Sequence, residues 1–199
     1  MKKPLLYIVI AAILFLAACT NGLSGSFLSN GVNGYVSEQY PLIDAVKSGT
    51  NSEDTSRIYL AEGTGLNEVG EDLVTQEKPL DISERKDNKQ ILIYDQYFVT
   101  LTEDPNNEAN TLIEVATNGF VRDNYNPDFF DGMIAMWILD DVLDIDDWGK
   151  KQKSRCQQSS GDCYEGFGSK GGSYKGPGKL PSFRGESQNI RGGGPGSGK

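Results

Sequence analysis

The 199-residue chain contains no histidine. That absence removes the commonest general base and the commonest transition-metal ligand. It excludes Ser-His-Asp and Cys-His nucleophilic catalysis, and every zinc site built on imidazole. Cysteine is scarce, at positions 19, 156 and 163 only. Apolar residues make up 37% of the chain, below the usual globular share, while glycine is frequent at 24 residues. Together these imply a folded part and an unfolded part. Long hydrophobic runs are missing too. The longest, Leu5 to Ala18, has 14 residues, short of the roughly 20 that a bilayer-spanning helix needs.

What is present is unevenly placed. Residues 19–148 hold seven basic and 25 acidic side chains, whereas residues 149–199 hold ten basic and three acidic. The overall charge of −9 therefore conceals an acidic body and a basic tail.

Lys2 and Lys3 followed by the 14-residue apolar run read as a secretory signal over residues 1–18. Leu16-Ala17-Ala18-Cys19 matches the lipobox of type II signal peptides. That likeness implies cleavage before Cys19 and attachment of palmitate-type acyl chains there. Two or three such chains hold a protein on a membrane where one would not. An uncleaved anchor is the plainer alternative, and the short run argues against it. Residues 19–29 are then a polar tether, with Thr20 giving no signal for inner-membrane retention.

The expected fold class is α+β, over residues 30–148. Val32, Tyr35, Val36, Tyr40, Ile43 and Val46 recur at helical steps, with Pro41 predicting a kink or two short helices. "RIYLA" (57–61) is a strand, and Leu66, Val69 and Leu73 mark a helix that stops before Pro79. "ILIYD" (91–95), "YFVTLT" (97–102) and "TLIEVAT" (111–117) form an antiparallel hairpin or meander, with turn chemistry at residues 104–107. Asn126-Pro127-Asp128 predicts a helix start, and the helix runs to Ile145. Its core face is Phe130, Met133, Ile134, Trp137, Ile138, Val142 and Ile145. "MIAMWIL" (133–139) is apolar all round and is expected in the core, the alternative being a membrane- or partner-facing patch.

Asp140, Asp141, Asp144, Asp146 and Asp147 cluster where that helix should end. Acids there oppose the macrodipole and one another, so something must offset them. A calcium ion held by Asp140, Asp144, Asp146 and Asp147 is one candidate. An EF-hand is rejected, because Trp148 takes the fifth place and Arg155 the twelfth. Neutralisation by Lys150, Lys151, Lys153 and Arg155 is the preferred alternative. Asp140/Asp144 or Glu62/Glu68 could serve as a hydrolytic carboxylate pair, but in so acidic a chain any pair could.

Cys156 and Cys163 are expected to form a disulfide outside the cytosol. A redox pair is less favoured, since Cys-x-x-Cys spacing is absent. Residues 161–199 carry 13 of the 24 glycines, with Tyr164, Phe167, Tyr174 and Phe183 among Lys170, Lys175, Lys179 and Arg184. This basic, low-complexity tail, counted from residue 149, buries too little to fold alone. It suits an anionic envelope polymer or lipid headgroups, or it folds back on the acidic body. Single-stranded nucleic acid fits the composition, but an exported chain rarely meets it, and none is expected.

The lipobox with Cys19, "TLIEVATNGFVRDNY" (111–125) and "SSGDCYEGFGSKGGSYKG" (159–176) resemble a family of small Gram-positive lipoproteins known only as a domain of unknown function. The resemblance implies a membrane-attached, extracytoplasmic protein and carries no catalytic residue or activity with it. The expectation is a non-enzymatic interaction module without a resident cofactor. The alternative is a cation-dependent or carboxylate-based envelope enzyme using residues 140–147.

Overall fold

The strongest β-formers lie between residues 89 and 117, and they pair with one another. A computed structural model describes residues 31–158 and 163–168. In it, β4 (Lys89–Ile93), β5 (Tyr97–Asp104) and β6 (Asn107–Thr117) form an antiparallel meander. The β5–β6 turn is set by Asp104, whose carboxylate accepts from the Asn106 backbone N–H at 2.9 Å. β1 (Leu42–Lys47), β2 (Thr55–Ala61) and the two-residue β3 (Asp81–Ile82) complete a six-stranded sheet of order β1-β2-β6-β5-β4-β3. Every strand pair is antiparallel. Five α-helices join it among the described residues, making the chain α+β.

Alternation along the strands gives the sheet two buried faces. α1 (Gly31–Gln39) and α2 (Leu66–Gln76) cover one, packing Val32, Val36, Val69 and Leu73 on Val99, Leu101, Ile113 and Val115. The other is covered by α3 (Asn118–Asn124), a 3₁₀ turn (Pro127–Phe130), α4 (Met136–Leu143) and α5 (Trp148–Gln158). Aromatic rings dominate that second core, with Phe98, Phe120, Tyr125, Phe130, Trp148 and Tyr164 all buried.

Three expectations need correction. The helix predicted across residues 32–46 ends at Gln39, and Ile43 and Val46 lie on β1. Pro41 cannot continue the helix; its carbonyl instead accepts from Leu60 N–H at 3.1 Å, where the chain enters the sheet. The helix predicted from Pro127 to Ile145 starts as expected, with Asn126 accepting from Asp128 N–H at 3.1 Å. It stops after one turn at Phe130 and restarts at Met136, because Gly132 adopts a left-handed conformation (φ +72°) between them. The shift rotates the core face: Leu139 and Leu143 are buried, while Trp137 is 72% exposed. The boundary expected at 148/149 also moves. Trp148 opens α5, whose Trp148, Gln152 and Cys156 are buried, and Cys163–Gly168 packs back on the same layer. The proposed signal, tether and the tail beyond Gly168 lie outside the described residues.

Candidate functional site

The acidic cluster does not sit at the end of one helix. It spans the junction between the C-terminus of α4 and the N-terminus of α5. Asp144 adopts φ +53° and terminates α4, with Ile145 N–H donating back to the Asp140 carbonyl at 3.0 Å. The Asp140 side chain accepts from Trp148 N–H at 2.9 Å, capping α5 from a distance. Asp146 and Asp147 immediately precede α5, where the helix dipole favours negative charge. The offset that the sequence demanded is therefore supplied largely by a second helix.

Cations contribute less than expected. Lys150 pairs with Asp147 at 2.9 Å, and that hydrogen bond lowers the Asp147 carboxyl below its ordinary range. Lys153 instead reaches Asp128 at 2.8 Å, and Arg155 lies 3.9 Å from Asp123. Asp140, Asp144, Asp146 and Asp147 share a shallow depression only in part, since Asp147 turns away to Lys150. No group of three or more cysteine, aspartate or glutamate side chains arranged to hold a metal ion occurs among the described residues. Glu62 and Glu68 are both exposed, one after β2 and the other in the first turn of α2.

The residue that sequence reasoning missed is Glu114, in the middle of β6. It stands opposite Ile58 of β2 and Thr100 of β5, on the aromatic face, and is buried. Burying a carboxylate is costly unless its oxygens are hydrogen-bonded. Oε1 accepts from the Ser56 hydroxyl at 2.5 Å and the Tyr125 hydroxyl at 2.9 Å. Oε2 accepts from the backbone N–H of Phe167 at 3.0 Å. The Tyr125 phenol is held well above its usual 10.0 by burial first and the Glu114 charge second. Burial, followed by the same charge, raises Tyr164 likewise. One signal was available: "TLIEVAT" puts a lone charge into an otherwise apolar and β-branched strand.

Glu114 thus receives a donor from the far C-terminal side of the domain. Cys163–Gly168 forms a strap across the aromatic face. Tyr164 N–H donates to the Asn124 carbonyl at 2.8 Å, and Asn126 N–H donates to the Tyr164 carbonyl at 2.7 Å. The Tyr164 ring lies edge-on to Phe120 and Tyr125, with centroids 5.3 and 4.9 Å away. Gly166 (φ +83°) lets the backbone pass Phe129, where a Cβ would come within 2.6 Å of the ring. A disulfide joins Cys163 to Cys156 in the last turn of α5, with 5.4 Å between Cα atoms.

Cys19, proposed for lipid attachment, lies outside the described residues, and no described helix is long and apolar enough to cross a membrane. No curated protein and no solved structure matches the chain. A family model matches residues 12–199, nearly the whole chain. The chain belongs to the family described as "Domain of unknown function (DUF4247)".

Proposed function

We propose that the protein is a lipid-anchored, extracytoplasmic lipoprotein whose domain is a non-enzymatic binding module of the cell envelope. The observation that carries this reading is the division of its three cysteines. Cys156 and Cys163 are bonded to each other, as suits an oxidising compartment. Cys19 is left as the cysteine of a complete lipobox. Acyl chains at Cys19 hold the module on the membrane, and the tether to residue 29 gives it reach. The basic segment beyond Gly168 carries six Lys or Arg against one acid. It engages an anionic envelope polymer or lipid headgroups, an attraction that salt weakens.

The enzyme alternative has less to rest on. Asp140 caps α5 and Asp147 is paired with Lys150, so two of the five aspartates in residues 140–147 already have structural partners.

The test is mass spectrometry of the exported protein from its host, with and without Cys19→Ser. A diacylglyceryl mass at Cys19 is expected in the parent. Unprocessed precursor is expected in the variant, and normal cleavage there would overturn the reading. Deletion of residues 169–199 tests the tail. A cut at 164 would remove Tyr164 and Phe167 from the core and confuse the result. The shortened protein should lose its salt-sensitive binding to a soluble polyanion such as polyphosphate.

A further inference from the structure

The strap Cys163–Gly168 differs from every other cover on the sheet in how it is held. α3, α4 and α5 follow one another through short connections, and their own helical hydrogen bonds order them as well as the two apolar side chains that each buries. The strap forms no helix or strand. It docks through the hydrogen bonds of Tyr164 with Asn124 and Asn126, the bond from Phe167 N–H to Glu114, and an Asn126 side-chain bond to Glu165 at 3.3 Å. Only Tyr164 and Cys163 are buried among its residues. Ordering the strap costs conformational entropy at each of its residues. The Cys156–Cys163 bond removes much of that cost beforehand, because it closes the chain over a sequence separation of seven. On the chain-entropy relation, a loop of this size weights the closed form by roughly 70-fold.

We propose that this disulfide is a redox latch that sets where the basic tail is rooted and how far it reaches. The functional meaning rests on the tail-binding reading above; the latch itself does not. With the bond closed, the tail starts one residue after Phe167, whose N–H is bound to Glu114. Reduction by a protein dithiol passes two electrons and two protons to the bridge. Cys156 and Cys163 become thiols, and the donor becomes the disulfide. The strap then leaves the aromatic face, and the tail is rooted ten residues earlier, at Gln158. Those ten residues add at most about 35 Å of reach.

The body survives this release. When Phe167 withdraws its N–H, Glu114 Oε2 meets incoming water. Oε1 keeps Ser56 and Tyr125. The sheet and both helix layers lose no strand or helix. Cys156 and Cys163 are both buried, so the bridge meets a reductant at the seam between α5 and the strap. Reduction by any thiol is correspondingly slow, and a protein dithiol reaches the bridge when that seam opens transiently.

Hydrogen exchange with mass-spectrometric readout tests the latch on the full mature chain, with and without a phosphine reductant. The expected result is a rise of ten- to hundred-fold in exchange at Tyr164 and Phe167, with β2 and β6 unchanged. Cys156→Ser/Cys163→Ser should show the same open pattern without reductant. Unchanged strap protection in both experiments would overturn the proposal. So would loss of β2 and β6 protection together with the strap, because the bond would then hold the whole domain. A chain lacking residues 169–199 should still open on reduction. Opening there, with no polyanion binding by the full chain, would keep the latch and sink the tail reading.

Discussion

The two faces of the sheet solve the same burial problem by different means. Beneath α1 and α2 the core is mainly aliphatic, built from two helices and four strands, with Tyr59 and Tyr94 as its buried rings. Beneath α3 to α5 and the strap, the cover is assembled from short pieces. These are a seven-residue helix, one 3₁₀ turn, an eight-residue helix, an 11-residue helix and a strap. Short pieces bring little apolar area apiece, so the second face uses large rings, a hydrogen-bonded carboxylate and a covalent bond. Phe130 meets Phe98 and Trp148 edge-on at 6.0 and 5.9 Å, and Trp148 Nε1–H donates to the Arg122 carbonyl at 3.0 Å. Gln152 of α5 donates to the Tyr125 carbonyl at 2.9 Å. Both faces have polar ties, since Tyr35 and Tyr40 of the first donate to Asp72 of α2 at 2.7 and 3.3 Å; the second adds a buried carboxylate and a covalent bond.

Truncations in the two cores should break this comparison most sharply. Phe120→Ala is expected to cost about 3–5 kcal/mol, and Leu73→Ala about 2–5 kcal/mol, in urea unfolding. Only Phe120→Ala should also speed exchange at Tyr164, since Phe120 is a ring partner of the strap. Equal exchange in both variants would mean that the faces are not independent. Glu114→Gln comes next. The amide oxygen can still accept, but the charge assistance is gone and its NH2 group meets donors, so a loss of about 1–3 kcal/mol is expected. A neutral result would show that the carboxylate is dispensable as a tie.

Alkaline pH should act on both faces, since the first-face phenols of Tyr35 and Tyr40 are also pushed up to about 12, by the Asp72 hydrogen bond and by burial respectively. Tyr125 and Tyr164 have phenols raised above 10.0 in the folded state. Their neutral forms are favoured there, so the unfolded chain releases protons first. Stability is intact below pH 10 and falls as pH climbs above it. Urea midpoints measured from pH 8 upward should show this fall, and Tyr125→Phe should flatten it in part. The smallest effect is expected at the helix junction. Asp144 holds φ +53° without being glycine, so Asp144→Gly should raise stability by about 0.5–1 kcal/mol. A calcium-dependent loss in that variant would instead reveal a role for the Asp144 carboxylate.

Much of the first face was legible from the chain. "RIYLA", "ILIYD", "YFVTLT" and "TLIEVAT" all lie on or overlap strands, and Leu66, Val69 and Leu73 mark α2. Those segments obey local propensity and period. The second face resisted reading because its pattern changes every few residues. "PDFFDGMIAMWILDDVL" scans as one helix, yet it contains a 3₁₀ turn, a glycine break and a second helix with a rotated face. Trp137 was placed inward on that single-helix register and is exposed instead. "WGKKQKSRCQQ" has too few apolar residues to announce burial, yet three spaced side chains, Trp148, Gln152 and Cys156, suffice to seat it. The candidate site followed the same division. The acidic run was visible, but its neutralisation by the following helix was not, and Glu114 showed only as an anomalous letter in a strand.

By itself the sequence determined the absence of imidazole chemistry, the contrast between acidic body and basic tail, the match of residues 16–19 to a lipobox pattern and the α+β class. All of these depend on composition or on neighbours a few residues apart. Only the tertiary structure decided that Glu114 is buried among Ser56, Tyr125 and Phe167, and that the aspartates belong to two helices. It alone showed that residues 148–158 and 163–168 belong to the core. Those outcomes depend on partners 53 to 58 residues apart for Glu114 with Phe167 and Ser56, and side-chain type does not encode such pairings. They arise when the sheet closes and each buried polar group must find its donor from whatever segment lies nearest in space.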